Sequence, residues 1–131
     1  MEKVTGIGGI FMKTSDVAAT RKWYQEMLGI DADPNWNGYA FQWREHDAPD
    51  TVGQTIWSLM PSTTKYFNPS TAPFMVNYRV KDVHAMIAQL RAAGAQVDDK
   101  IDESEYGKFG WVMDPEGNRI ELWEPPVEAP K

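Results

Sequence analysis

The sequence contains no cysteine. That excludes a disulfide framework, a thiolate zinc site and a cysteine nucleophile. Basic residues are in the minority, 13 against 19 acidic, and the formal net charge is −6. A general nucleic-acid binder carries a basic face, so no nucleic-acid partner is expected. Long hydrophobic runs are missing as well. The apolar stretch Ile7 to Met12 is broken by Gly8 and Gly9 and is too short for a signal peptide or a membrane span. The expectation is a cytoplasmic protein without a membrane partner. Low-complexity linkers are absent, and the Pro-rich stretch Pro125 to Lys131 reads as a frayed tail.

What is present is a dense apolar and aromatic content. The 131 residues are 42% hydrophobic, with six Trp, five Tyr and five Phe. Aromatics in that number need a core, which argues against disorder. The length suits one domain, or two small halves sharing a core.

Periodicity and turn chemistry divide the chain into two similar halves. The first opens with a strand around Ile7 to Lys13, followed by Ser15-Asp16 as a helix N-cap. Val17, Thr20, Tyr24 and Leu28 recur at helical spacing, with Trp23 beside them, and Gly29 stops the helix. A short strand at Ile30 to Pro34 is weakly signalled. Tyr39, Phe41 and Trp43 alternate with polar or small residues, which predicts a strand over Gly38 to Arg44, and another follows at Thr55 to Met60. Pro61 to Pro73 is rich in Pro, Ser, Thr and Asn and reads as a connection.

The second half repeats the order. A strand at Phe74 to Val80 precedes Asp82, which caps a helix with the stripe Val83, Met86, Ile87 and Leu90 ended by Gly94. Strands follow at Val97 to Ile101 and Phe109 to Met113. A turn at Asp114 to Asn118 leads into the last strand, Arg119 to Glu124. Asp16-Val17, Gly29, Ile56 and Pro61 meet Asp82-Val83, Gly94, Ile120 and Pro125 at offsets of 64 to 66 residues. The reading is an α+β fold of two duplicated βαβββ modules, about 5–61 and 73–125 with a connector at 62–72. They would form a curved mixed sheet with helices outside and a cup inside.

Asp16-Val17, Trp23-Tyr24, Leu28-Gly29, Val80 to Val83, Leu90 to Gly94 and above all Asp114-Pro-Glu-Gly-Asn-Arg-Ile-Glu-Leu-Trp-Glu-Pro125 carry a family resemblance. Over about Ile7 to Pro125 the chain resembles the vicinal oxygen chelate superfamily, the glyoxalase, bleomycin-resistance and extradiol-dioxygenase group. The last motif points to the fold, not to one activity. The resemblance implies a divalent metal held by a His on the first strand of each half and a carboxylate on the last. Counting seven residues back from Asp16 and Asp82 gives Gly9 and Met75, and the internal match puts Trp57 at the first carboxylate position. Glu121 alone survives. No cofactor is therefore expected, and a divalent metal is disfavoured. The two histidines, His46 in a polar stretch and His84 off its helix stripe, read as solvent-exposed.

Strand parity, inherited from the resemblance, assigns the cup lining. Gly9, Phe11 and Lys13 face in on the first strand. Met75, Asn77 and Arg79 face in on the strand that opens the second half, and Arg119, Glu121 and Trp123 on the last. Trp57 and Leu59 join them, while Tyr39, Phe41, Trp43, Phe109, Trp111 and Met113 close the walls. This lining suits a flat organic ligand held by stacking. Lys13, Arg79 and Arg119 give it a positive floor, which suits an anionic group, and Glu121 pairing with Arg79 or Arg119 is the structural alternative. Glu121 has two open roles, a general base if isolated among aromatics or a structural anchor if paired. Asp102 to Gly110 reads either as a loop over the cup, with Tyr106 as a lid contact, or as a solvated connection.

The function expected is that of a metal-free small-molecule binder of the bleomycin-resistance type, taking an aromatic and anionic ligand. The alternative is a glyoxalase-like lyase, isomerase or dioxygenase using Glu121 with an atypical or absent metal site. A non-catalytic domain whose aromatics serve only an interface is the third possibility. The resemblance implies a homodimer, because members of the superfamily commonly pair βαβββ modules between chains, and tryptophans suit interfaces.

Overall fold

The structure, a computed structural model, describes residues 1–127. Part of the expected tail, from residue 128 onward, lies outside the described residues. Seven strands and two helices follow the order β1 (Val4–Thr14), α1 (Val17–Leu28), β2 (Gly38–Arg44), β3 (Val52–Pro61), β4 (Phe74–Val80), α2 (Val83–Ala92), β5 (Asp102–Ser104), β6 (Gly107–Met113) and β7 (Arg119–Glu124). The strands form a mixed sheet, so the fold is α+β as expected. The chain divides into two compact units, one of Gly8–Met75 and one of Met1–Ile7 with Val76–Lys131.

In the first of these units the strand order is β2-β3-β1, with β3 antiparallel to β2 and parallel to β1. Asp16 caps α1 by accepting from the Ala19 N–H, and Gly29 ends it at φ 70°, a left-handed conformation that favours glycine. The helix contributes no fully buried residue, and Leu28 of its expected stripe is 60% exposed. Val17 and Tyr24 do the packing, against Trp57, Leu59, Ala32, Met12 and Ile30. The weak strand signal at Ile30 to Pro34 resolves into a single bridge, Asp33 to Gly38. The connector carries no helix or strand over 62–72, yet Phe67 within it is fully buried.

In the other unit the order is β4-β7-β6-β5, with β4 parallel to β7 and the remaining pairs antiparallel. Asp82 caps α2 through the Ala85 N–H. Val83, Met86 and Ile87 then bury against Val80, Val112 and Leu122, with Tyr78, Leu90 and Ile120 alongside. Gly110 lets the helix approach, because a Cβ there would lie 3.0 Å from Ile87 side-chain carbons. Val97 forms only a bridge to Val112. The segment read as a loop, Asp102 to Gly110, is instead a hairpin of β5 with β6, turning at Glu105-Tyr106. Polar Asp102 and Glu103 are compatible with a strand because β5 ends the order and keeps one edge in solvent.

The Asp114 to Asn118 turn is closed by its own aspartate. The Asp114 carboxylate accepts from the Asn118 N–H at 2.8 Å, the Asn118 side-chain amide at 3.0 Å and the Glu116 N–H at 2.9 Å. The Asn118 backbone and then side-chain bonds hold this carboxyl below its ordinary value of 3.8. A carboxyl with a lowered folded-state value adds stability above its unfolded value, and that contribution fades as pH falls through the folded value. An NMR titration is expected to show Asp114 protonating below pH 3.8, with the Asn118 amide shifting in step. Asp114→Asn should remove this acid-limb contribution.

Candidate functional site

β4, β7 and β6 carry the chemistry-bearing row. Asn77 pairs with Glu121 and Arg79 with Trp123 across β4 and β7, while Trp111 pairs with Glu121 and Phe109 with Trp123 across β6 and β7. Paired residues share a face, so Asn77, Arg79, Phe109, Trp111, Arg119, Glu121 and Trp123 lie together, opposite the face covered by α2. The sequence reading had this half in the right phase. Alternation with Val76, Tyr78 and Val80, and with Ile120 and Leu122, sets it.

Glu121 is the buried centre of the row, at 1% exposure. Its Oε1 accepts from Asn77 Nδ2 at 2.7 Å and its Oε2 from the Trp111 indole N–H at 3.0 Å. Asn77 is itself 2% exposed, and its Oδ1 has no protein donor. Arg119 forms its ion pair with Asp98 at 2.6 Å and covers Trp111, its guanidinium carbon 4.9 Å from the ring centre. Arg79 sits 5.5 Å over Trp123, which also stacks on Phe109 at 6.2 Å and 7°. The Trp123 N–H donates to the Tyr106 carbonyl at 2.9 Å. Tyr106 therefore anchors Trp123 by its backbone, while its side chain stays 69% exposed.

In Gly8–Met75, Phe11 is buried and Lys13 lies 5.2 Å over the buried Phe67 ring. The aromatic wall expected here is on the other face. Phe11 pairs with Ser58, whereas Trp57 pairs with Tyr39, Phe41 with Thr55 and Trp43 with Gly53. Tyr39, Phe41, Trp43, Trp57 and Leu59 thus share the face on which α1 packs, and Tyr24 touches Trp57 at 4.8 Å between ring centres. Trp57 and Leu59 are core. Trp43 lies across Gly53 and donates to Thr55 Oγ1 at 2.8 Å. The residue that sequence reasoning missed is Ser58, 6% exposed. It pairs with Phe11 as Glu121 pairs with Asn77, which makes it the register counterpart of Glu121. A polar residue between Trp57 and Leu59 was the available signal.

Of the positions where the resemblance implies metal ligands, Met75 offers a soft thioether, and Trp57, where the first carboxylate was sought, is core. Gly9 is locked as glycine, because a Cβ there would lie 2.7 Å from the Ile56 carbonyl oxygen. Both Glu121 oxygens are engaged by buried donors. Among the described residues no three His, Asp or Glu side chains gather as a ligand group. His46 is exposed, and His84 is half exposed with Glu103 at 3.2 Å.

Comparison with known proteins places this geometry in context. A family model described as a glyoxalase-like domain matches residues 9–123. No curated protein matches the chain. Among solved structures, a variant of Streptomyces coelicolor methylmalonyl-CoA epimerase in complex with 2-nitronate-propionyl-CoA superposes with a TM-score of 0.66 at 18% identity, covering 98% of this chain and 100% of that one. Methylmalonyl-CoA epimerase from Mycobacterium tuberculosis gives 0.57 at 19% identity, covering 95% and 90%. A glyoxalase/bleomycin resistance protein/dioxygenase superfamily member from Vibrio splendidus 12B01 gives 0.55 at 12%, covering 93% and 97%. At these identities the likeness is one of fold.

Proposed function

The chain belongs to the glyoxalase-like domain family, and on that premise we propose that it is a metal-independent small-molecule-binding protein for a flat aromatic compound with an anionic group. The observation that carries this reading is the engagement of Glu121. It is buried, and each of its oxygens holds a buried donor, one of them the Trp111 N–H. A carboxylate so used orients the Trp111 ring beside it. The platform it fixes is Trp111, with Phe109 and Trp123 alongside. Arg79 and Arg119 bring positive charge to the same face, Arg79 over Trp123 and Arg119 paired with Asp98. Aromatic faces beside a guanidinium recognise a planar anion by stacking and a charge-assisted hydrogen bond.

Tryptophan fluorescence titration tests the reading with three probes: 2-naphthoate, the neutral 2-naphthylmethanol and propionyl-CoA. Naphthoate is expected to quench saturably and to bind more tightly than the alcohol. Arg79→Ala should weaken naphthoate about tenfold or more, the scale of one charge-assisted hydrogen bond, and leave the alcohol nearly unchanged. Saturable binding of propionyl-CoA alone, or of no probe, overturns the proposal.

A further inference from the structure

Three exposed aromatics of Gly8–Met75 gather beside the outer edge of β2. Trp36, Tyr39 and Phe41 are 44%, 39% and 42% exposed. A groove of about 700 Å³ runs there, lined by Asp31, Asp33, Trp36 and the consecutive residues Gly38 to Gln42. Lining by consecutive residues of one strand means that the groove follows the strand's backbone edge.

Backbone hydrogen bonds identify which groups that edge leaves open. The Asn37 carbonyl accepts from the Leu59 N–H on β3, and the Gly38 carbonyl accepts from the Asp33 N–H on the other side. Direction alternates along a strand. Tyr39, Phe41 and Trp43 therefore bond to β3, and Ala40, Gln42 and Arg44 turn their N–H and C=O outward. Asp33 occupies the edge at Gly38, and the open stretch begins at Ala40. Between Ala40 and Trp43 there is no proline, lysine or other charge of the kind that blunts a free edge.

We propose that this edge pairs antiparallel with the same edge of a second copy of the chain, across a two-fold axis at Gln42. In that register Ala40 faces the partner copy's Arg44 residue and Gln42 faces its own counterpart, so the whole open stretch is used. Phe41 then stands opposite the second copy's Trp43 position on one face, an aromatic cross-strand pair repeated by symmetry. Charge complements it. Arg44 of each copy arrives beside Ala40, at the end of the groove where Asp31 and Asp33 lie. Neither aspartate has an ion-pair partner among the described residues; Asp31 accepts from Gln25 and Asp33 from the Asn35 N–H. Arg44 donates one N–H to the Pro49 carbonyl, and its fork has further donors to offer.

Sedimentation velocity on the full chain over a range of concentrations tests the proposal. The wild-type chain is expected to be a dimer. Ala40→Pro removes an N–H that serves no bond among the described residues, and a strand edge tolerates proline there. Phe41→Lys places a charge on the pairing edge without touching the backbone. Each is expected to raise the dissociation constant ~100-fold or more, with circular dichroism unchanged. Arg44→Glu should weaken the dimer, and adding Asp31→Lys to it should restore association. A monomeric wild-type chain, or a dimer indifferent to both Ala40→Pro and Phe41→Lys, overturns the proposal.

Discussion

Glu121→Ala is expected to lower the unfolding free energy by about 3–5 kcal/mol, the cost of stranding two buried donors and opening a void. The donors are Asn77 Nδ2 and the Trp111 N–H, both inside a row where Asn77, Trp111 and Glu121 are nearly solvent-free. Glu121→Gln should stay within about 1 kcal/mol of the wild type. The reason is Asn77 Oδ1, which lacks a protein donor. If the Asn77 amide flips, its oxygen accepts from the new glutamine amide, and the glutamine oxygen keeps the Trp111 bond. Urea denaturation of the two variants measures the contrast. Equal losses would mean that the negative charge itself, and not the hydrogen-bond geometry, holds the row.

Gly107→Ala is expected to cost about 2–4 kcal/mol, combining backbone strain with a steric clash. Gly107 sits at φ 117°, where L side chains are strained. An added Cβ would also collide with the Glu124 carbonyl oxygen and approach the Trp123 indole nitrogen to 2.8 Å. Relief requires the β5–β6 hairpin to move away from β7, which breaks the Trp123 bond to the Tyr106 carbonyl. Thermal melting gives the stability loss, and a red shift of tryptophan emission should report solvent at Trp123. A stable variant with unshifted emission would contradict this role for the hairpin turn.

How far the fold was legible follows from where side chains leave a periodic record. The second half could be phased because both faces of its strands are marked, Val76, Tyr78 and Val80 against Asn77 and Arg79, and Ile120 and Leu122 against Glu121 and Trp123. Helix caps at Asp16 and Asp82 were legible for the same local reason, a carboxylate poised to accept from the first turn. In the first half the aromatic strand Gly38 to Arg44 was recognised and its face misassigned. Tyr39, Phe41 and Trp43 look like a pocket wall in isolation. Their face is decided by pairing with Trp57 and Gly53 on β3, a non-local register that a single strand does not record. Matching Trp57 to Glu121 placed β3 one residue out of phase, and such a slip turns every side chain to the opposite face. The same slip hid Ser58. The acidic hairpin was read as a loop because a short outer strand needs no apolar alternation to form.

Gly9 admits no side chain without moving the Ile56 carbonyl. Restoring a histidine there would therefore disturb β3 before it created a ligand.

The most direct test of metal-independent binding is a calorimetric titration of 2-naphthoate into chelator-treated protein, repeated after adding manganese, nickel or zinc. The account predicts saturable binding of one ligand per chain without metal, with an affinity that the added ions leave unchanged. Binding that appears only after a divalent ion is supplied would contradict it and return Glu121 to the role of a metal ligand.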